Sequence, residues 1–177
     1  MTDERISELR AVAHPLRLRL LSLLTGAPMS SAEAARELGI SQANASYHLR
    51  LLERAGLVEV AEEVKVRGGR ARRYREVASR RERSSSPEAE VAKSSTEARE
   101  VFVRALVDEL VRRNALRVAG PVLDVDAELW VPSETWKECV NVVGEVAVRL
   151  HAAARKPRTP GTDRVAVTVS MFPMGAS

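Results

Sequence analysis

The sequence is poor in cysteine, in aromatic residues and in long apolar runs. Its single cysteine, Cys139, excludes an intrachain disulfide framework and most cysteine-based metal sites. No apolar run approaches the length that spans a bilayer, and the N-terminus lacks the basic start and apolar core of a signal peptide. We therefore expect a cytoplasmic protein in a reducing compartment, with no membrane partner and no cofactor.

The charge of the chain is distributed unevenly. The formal net charge is +4 and the sequence pI is about 9.7. Residues 1–83 contain 16 Lys and Arg against 11 Asp and Glu, whereas residues 84–177 contain 12 against 13. A positive excess in one half is what phosphate binding would use, because it releases counterions from DNA. A basic pI alone does not prove that a protein binds nucleic acid.

Residues 36–58 show the pattern of a short helix, a turn and a longer helix. Gly39 marks the turn, and Ser41 stands where its hydroxyl can cap the second helix. Ala45, Leu49 and Leu52 share one helix face, which predicts that the other faces carry small, polar or basic residues. The alternative for those faces is ordinary solvation. The pattern favours a DNA-reading helix-turn-helix, with contacts from Ser41, Gln42, Ala43, Asn44, Ser46, Tyr47 and Arg50.

Three helices are predicted before the recognition helix, and the third of them is the short helix of the helix-turn-helix. Apolar spacing indicates a helix over residues 4–13, which ends before Pro15 because proline disfavours helical geometry in the preceding residue. A second helix starts at Pro15 and ends near residues 25–28. A third is capped by Ser30 or Ser31, with Glu33 at the spacing of a capping box after Ser30.

After Gly56 the apolar period changes from helical to alternating. Valines at positions 58, 60, 64 and 66 alternate with charged residues, residues 67–70 form a tight turn, and residues 71–77 return as a partner strand. Residues 65–83 carry nine basic and two acidic residues. Such a hairpin suits a phosphate backbone or a minor groove, although a solubilising tip is the alternative. The predicted DNA contacts of this wing are Arg67, Arg70, Arg72 and Arg73.

Residues 9–77 resemble the winged helix-turn-helix of ArsR-type bacterial transcriptional regulators. The resemblance lies in His14-Pro-Leu-Arg-Leu-Arg-Leu-Leu21 of the opening helix, in Ser46-Tyr-His-Leu-Arg-Leu-Leu-Glu-Arg-Ala-Gly-Leu-Val58, and in Gly69-Arg70 with Tyr74-Arg75 of the wing. It covers less than half of the chain. It implies a homodimer on double-stranded DNA, with one recognition helix per half-site of a near-palindromic operator.

The chain departs from the metal-sensing members of that family. They carry a cysteine-containing motif in the helix before the recognition helix, whereas residues 31–38 contain no cysteine and no histidine. The histidines at positions 14, 48 and 151 have no paired ligand spacing. We therefore expect neither thiol-based metal sensing nor a metal site.

The second half predicts a separate module. Residues 79–95 are rich in serine and charge and read as a linker, which leaves domains at residues 1–78 and 96–177. Periodicity predicts a helix over residues 96–116, a strand over 124–131, a helix over about 133–154 and a strand over 164–172. The expected fold class is mainly α with small β, a winged helix-turn-helix followed by a small α/β domain of helix-strand-helix-strand order. That domain would serve dimerisation or effector binding.

Two features of this module have competing interpretations. Trp130 and Trp136 could line a ligand pocket, but they are as readily explained as local core. Cys139 lies in an apolar helix and is expected to be an inert core residue. No catalytic triad, phosphate-cradling loop or acid/base pair is recognisable, so we do not expect an enzyme.

The sequence favours a homodimeric DNA-binding regulator, expected to be a repressor. Two alternatives stay open: a winged-helix module that binds another protein, and a ligand-binding C-terminal domain that controls DNA binding through a small-molecule effector. The basic wing argues against the first alternative, because a protein-binding surface gains little from many unpaired arginines.

Overall fold

A computed structural model of the chain describes residues 2–66, 69–77 and 96–175. Its N-terminal part combines helices with a small antiparallel sheet, and two further helices follow. This confirms the mainly α fold class with small β and the N-terminal winged helix-turn-helix. The elements are α1 (Thr2–Val12), α2 (Pro15–Leu24), β1 (Met29–Ser30), α3 (Ser31–Leu38), α4 (Gln42–Arg54), β2 (Val58–Val66), β3 (Gly69–Glu76), α5 (Thr96–Asn114) and α6 (Ser133–Ala153).

The start of α2 is fixed locally. His14 is extended, and its side chain accepts a hydrogen bond from the Leu16 N–H, while Pro15 occupies the first turn where no intrahelical donor is needed. The inward stripe of α2 then enters the core, with Leu20 and Leu24 almost fully buried. Each such leucine contributes roughly 1.5–3 kcal/mol of burial free energy. The predicted break at residues 14 and 15 is confirmed.

α3 and α4 form the predicted helix-turn-helix. Ser30 and Glu33 make a reciprocal capping box at the start of α3, which confirms the spacing argument. The turn passes through Gly39 at φ 67°, a left-handed conformation that glycine adopts without strain. Ala45, Leu49 and Leu52 of α4 are fully buried, as the helical spacing predicts.

The sheet has the strand order β1-β3-β2, and both pairings are antiparallel. β1 contributes only its two residues, which lie opposite Tyr74 and Arg73. The register of β2 on β3 shifts between Val60 and Glu62. Strict alternation along residues 58–66 is therefore wrong, because the extra residue of this bulge reverses which side chains face the core beyond it.

α5 packs on the winged domain through the stripe Ala98, Phe102, Ala105 and Glu109. Ala98, Ala105 and Glu109 are buried, and Phe102 packs against the main core, where α1 and α2 are the neighbouring helices. Arg112 makes a two-pronged ion pair with the buried Glu109 carboxylate. Helix α5 is thus joined to the body that contains α3 and α4.

The last third of the chain differs from its prediction. α6 forms close to the expected bounds, but none of its residues is buried. Cys139 is exposed, so the prediction that it lies in a core is wrong. Residues 124–131 and 164–172 form no strands, so the predicted helix-strand-helix-strand order of the second module is wrong. Within residues 2–66, 69–77 and 96–175, no strand lies beside either segment to complete its backbone hydrogen bonds. The predicted linker, residues 79–95, lies outside the described residues.

In the described part of the chain, no helix is both long enough and apolar enough to cross a membrane.

Candidate nucleic-acid interface

The N-terminus of α4 is held by a side-chain cap. The Ser41 hydroxyl accepts a hydrogen bond from the Asn44 N–H at 3.2 Å. This bond fixes the backbone conformation of the first turn of α4. Ser41 and the three residues after it are all exposed. The first turn therefore presents amide and hydroxyl groups to solvent, with the positive end of the helix dipole behind them.

The structure brings the predicted α4 contacts together on one outward surface. Tyr47 is 51% exposed, and the edge of its ring contacts His48 at a centroid distance of 5.1 Å. Gln and Asn side chains can pair with adenine, and Arg can reach guanine or a phosphate. This α4 surface consists of Gln42, Ala43, Asn44, Tyr47 and Arg50, which are exposed, and of Ser46, which is half-buried.

A histidine pair anchors the inner side of the same helix. His48 is buried, and its ring centroid lies 4.7 Å from that of His14 at the start of α2. Burial lowers the pKa of His48, and the nearby His14 and Arg17 lower it further. Burial and the Arg17 charge likewise lower the pKa of His14. Both rings therefore favour the neutral form more than a free imidazole does.

One wing arginine reaches the C-terminal end of α4, and a second shares its carboxylate partner on β2. Arg72 contacts Glu53 of α4 at 3.8 Å and Glu63 of β2 at 3.5 Å, and Arg70 contacts Glu63 at 3.3 Å. Both arginines remain largely exposed, so these ion pairs are weak and a phosphate can compete for them. The wing thus adjoins the C-terminal end of α4 and adds exposed cationic groups there.

The bulge in β2 separates Arg73 from this surface. Residues paired across an antiparallel ladder share a face, so Glu63 lies with Arg72 and Glu62 lies with Arg73 on the other side. The Arg73 guanidinium contacts Glu62 at 2.7 Å and Glu33 at 3.4 Å, and it donates to the Pro28 carbonyl. Arg73 is therefore tied into the domain and is not brought together with Arg70 and Arg72. Arg67 lies outside the described residues.

Neither tryptophan of the suggested ligand pocket is buried. Trp130 is 95% exposed, and Trp136 is half-buried at the start of α6. The described chain does contain an open cavity of about 400 Å³ between α1, α2 and α5, but other residues line it, among them Arg10, Arg17 and Glu97. Among the residues that the structure describes, no cluster of three or more His, Cys, Asp or Glu side chains could hold a metal ion.

Sequence reasoning missed the acidic partners of the wing. Glu53 and Glu63 set the positions of Arg72 and Arg70, yet in the sequence they are ordinary charged residues on a helix and a strand. The spacing from Glu53 to Arg72 carries no local signal, since the contact between them depends on how the hairpin folds back. The excess of arginine at the tip was the only available indication.

A family model described as a helix-turn-helix domain matches residues 12–61. These residues contain α2, α3, α4 and the start of β2. The match and the fold support a winged helix-turn-helix regulator that binds DNA.

Among solved structures, reduced HlyU from Vibrio cholerae N16961 is similar to this chain with 25% sequence identity. The alignment covers 65% of this chain and 92% of that one, with a TM-score of 0.37. No curated protein sequence matches this chain.

Proposed function

We propose that the protein is a homodimeric transcriptional repressor that binds a near-palindromic operator. The observation that carries the proposal is the exposed first turn of α4 with its amide side chains, together with the exposed guanidiniums of the wing, which contacts the C-terminal end of the same helix. In this arrangement α4 lies in the major groove and reads base edges. The wing arginines Arg70 and Arg72, together with Arg67 of the sequence between β2 and β3, contact the backbone or the minor groove.

The inner anchoring of α4 supports base readout. Ala45, Leu49 and Leu52 fix the helix to the core, and the Ser41 cap fixes its first turn. A helix held on its inner side leaves Gln42 and Asn44 little orientational freedom relative to the domain, which favours discrimination between bases. Glu53 and Glu63 limit non-specific binding to DNA, because Arg70 and Arg72 must break their ion pairs with these carboxylates before they bind phosphates.

The dimer is proposed from α5. Val103, Val107 and Leu110 recur at helical spacing on the side of α5 that faces away from α1 and α2, and all three are exposed. An exposed apolar stripe of this kind marks a protein interface. A second copy of the same helix would cover it and place two α4 helices for two half-sites. Residues 31–38 offer no thiol, so regulation through a thiolate-bound metal at α3 is not part of the proposal.

The test is fluorescence anisotropy with labelled DNA from upstream of the protein's own gene and with a scrambled duplex, at about 50 and about 200 mM salt. Preferential binding that weakens steeply with salt is the expected result. Binding that ignores both sequence and salt contradicts operator recognition, and no binding at the lower salt favours a protein-interaction module. Light scattering of the complex gives the number of chains per duplex, with two chains expected.

A further inference from the structure

The loop that follows α6 returns to the winged domain and meets the acidic side of α3. The Arg158 guanidinium contacts the Glu37 carboxylate at 2.8 Å, and the Lys156 ammonium lies 3.8 Å from Glu33. Arg158 adopts φ 64°, a left-handed conformation that costs free energy for any residue other than glycine and that contacts must hold. We call residues 155–158 the basic loop.

A glycine makes room for the backbone of this loop. A Cβ atom built on Gly26 would lie 2.2 Å from the carbonyl oxygen of Arg155, which is far inside van der Waals contact. Gly26 is not among the glycines with positive φ, so space rather than backbone conformation requires glycine here. The basic loop therefore docks on α3 by two ion pairs and passes close to the backbone of Gly26, which follows α2. Arg158 and Glu37 are 121 positions apart in sequence.

The docked loop changes the charge that α3 presents. In a helix-turn-helix the first helix crosses the phosphate backbone, so carboxylates on that helix repel DNA. Glu33 is ionised: burial by itself would raise its pKa, but hydrogen bonds from Ser30 and the charges of Arg73 and Lys156 together lower it. Arg158 supplies a cation to Glu37, and Lys156 adds a second cation to Glu33, which already contacts Arg73.

We propose that the acidic side of α3 is a docking surface for the basic loop, and that this docking enables DNA binding by neutralising Glu33 and Glu37. The C-terminal third of the chain then acts on DNA affinity without touching DNA. The proposal rests on the DNA-binding function proposed above. It differs from a direct phosphate contact in one respect: the effect of the loop depends on the carboxylates beneath it.

Two variants undock the loop by different chemistry. Arg158→Ala removes an ion pair, and Gly26→Ala introduces a methyl group where the Arg155 backbone lies, without changing any charge. Each is measured alone and combined with Glu37→Gln, by anisotropy on the DNA that the wild type binds best. Matched controls are Arg164→Ala, which removes an exposed arginine nearby, and Gly120→Ala, where nothing lies within 4 Å of the added Cβ.

The expected result is a loss of affinity of about threefold to tenfold for both undocking variants. Glu37→Gln restores the affinity in each background, and the controls leave it unchanged. A loss in Arg158→Ala that Glu37→Gln does not restore overturns the proposal, because Arg158 then contacts phosphate directly. Unchanged affinity in both undocking variants also overturns it.

A readout without DNA separates the docking from the proposed function. In a double-mutant cycle of Arg158→Ala and Glu37→Gln, urea unfolding of the full chain reports the coupling between the two side chains. Measurable coupling is expected whether or not the wild type binds DNA. Zero coupling overturns the docking, whereas coupling in a protein that binds no DNA refutes only the regulator.

Discussion

His14 and His48 join the start of α2 to the middle of α4, with their ring centroids 4.7 Å apart. The Nδ1 atom of His14 accepts the Leu16 N–H at 3.1 Å, so this nitrogen must be unprotonated for the cap of α2 to form. The Nδ1 atom of His48 is buried without a hydrogen-bond partner among the described residues. The pair therefore links protonation to the anchoring of the helix that presents the proposed DNA contacts.

Acid should destabilise the fold through this pair. The pKa values of both histidines are lowered from the ordinary value of 6.5, so below that pH the unfolded chain binds more protons than the folded one. The free energy of unfolding is therefore full above pH 6.5 and falls as the pH drops through the lowered pKa values. Urea unfolding between about pH 5 and about pH 7 measures the slope.

The assignment is checked with His48→Leu, which removes one titrating ring and should reduce the slope. Equal slopes in the variant and the wild type would contradict a role of the His14–His48 pair.

The wing is tested by removing arginines from its two faces. Replacing Arg70 and Arg72 by alanine should weaken binding to all DNA sequences and reduce the salt slope by about 1 for each phosphate that is no longer neutralised. Arg75→Ala is the control, because Arg75 has the same 57% exposure as Arg72 but lies on the other face, beside Glu59. Anisotropy titrations over a salt series give the slopes. Equal effects of Arg72→Ala and Arg75→Ala would refute the proposed orientation of the wing.

The first turn of α4 is tested by its effect on sequence preference. Gln42→Ala or Asn44→Ala should cost about 1–3 kcal/mol on the preferred site and much less on scrambled DNA, because the substitution removes a hydrogen bond to a base and keeps the bonds to phosphates. Competition titrations with single-base variants of the site locate the affected position. Asn114→Ala, at the exposed end of α5, is the matched control. A uniform loss on all duplexes would assign Asn44 to the backbone.

Arg73 should contribute to stability more than to DNA binding. Its side chain is only 23% exposed and contacts Glu33, Glu62 and the Pro28 carbonyl, so Arg73→Ala should lower the free energy of unfolding by about 1.5–3 kcal/mol. Arg75→Ala, with one exposed ion pair, should lower it by at most about 1 kcal/mol. Denaturant unfolding of both variants measures these free energies. Equal losses of unfolding free energy would show that Arg73 stabilises the domain no more than Arg75 does.

Dimerisation is tested on the exposed stripe of α5. Val107 is 51% exposed, so Val107→Asp should leave the fold intact and convert the dimer into a monomer, since burying a lone carboxylate in an apolar interface is costly. Val101→Asp, at a similarly exposed valine on another side of α5, is the control. Light scattering after gel filtration gives the mass. A Val107→Asp protein that stays dimeric would place the interface elsewhere.

Local interactions made the helix-turn-helix predictable. The Ser30–Glu33 capping box, the Ser41 cap and the glycine turn at Gly39 each involve residues within a few positions of one another. The same holds for the exposed face of α4, because helical spacing alone separates it from the buried Leu49. Such features follow from backbone geometry and need no knowledge of distant residues.

The wing was predictable as a hairpin but not in its register. Alternating valines indicate strands, yet the bulge after Val60 reverses the faces, and only the paired structure shows that Arg73 and Arg72 point to opposite sides. Residues 124–131 and 164–172 were predicted to be strands but form none. Their alternation predicts strands, but a strand needs a partner ladder, and the described chain supplies none.

The sequence by itself thus determined the capped helices, the turn and the basic hairpin, because short-range hydrogen bonds and apolar periodicity encode them. The tertiary structure alone decided which charges meet. Arg158 and Glu37 are 121 positions apart, and Gly26 is required only because a distant backbone passes over it. Contacts of this kind depend on the packing of whole elements, and no local pattern in the chain records them.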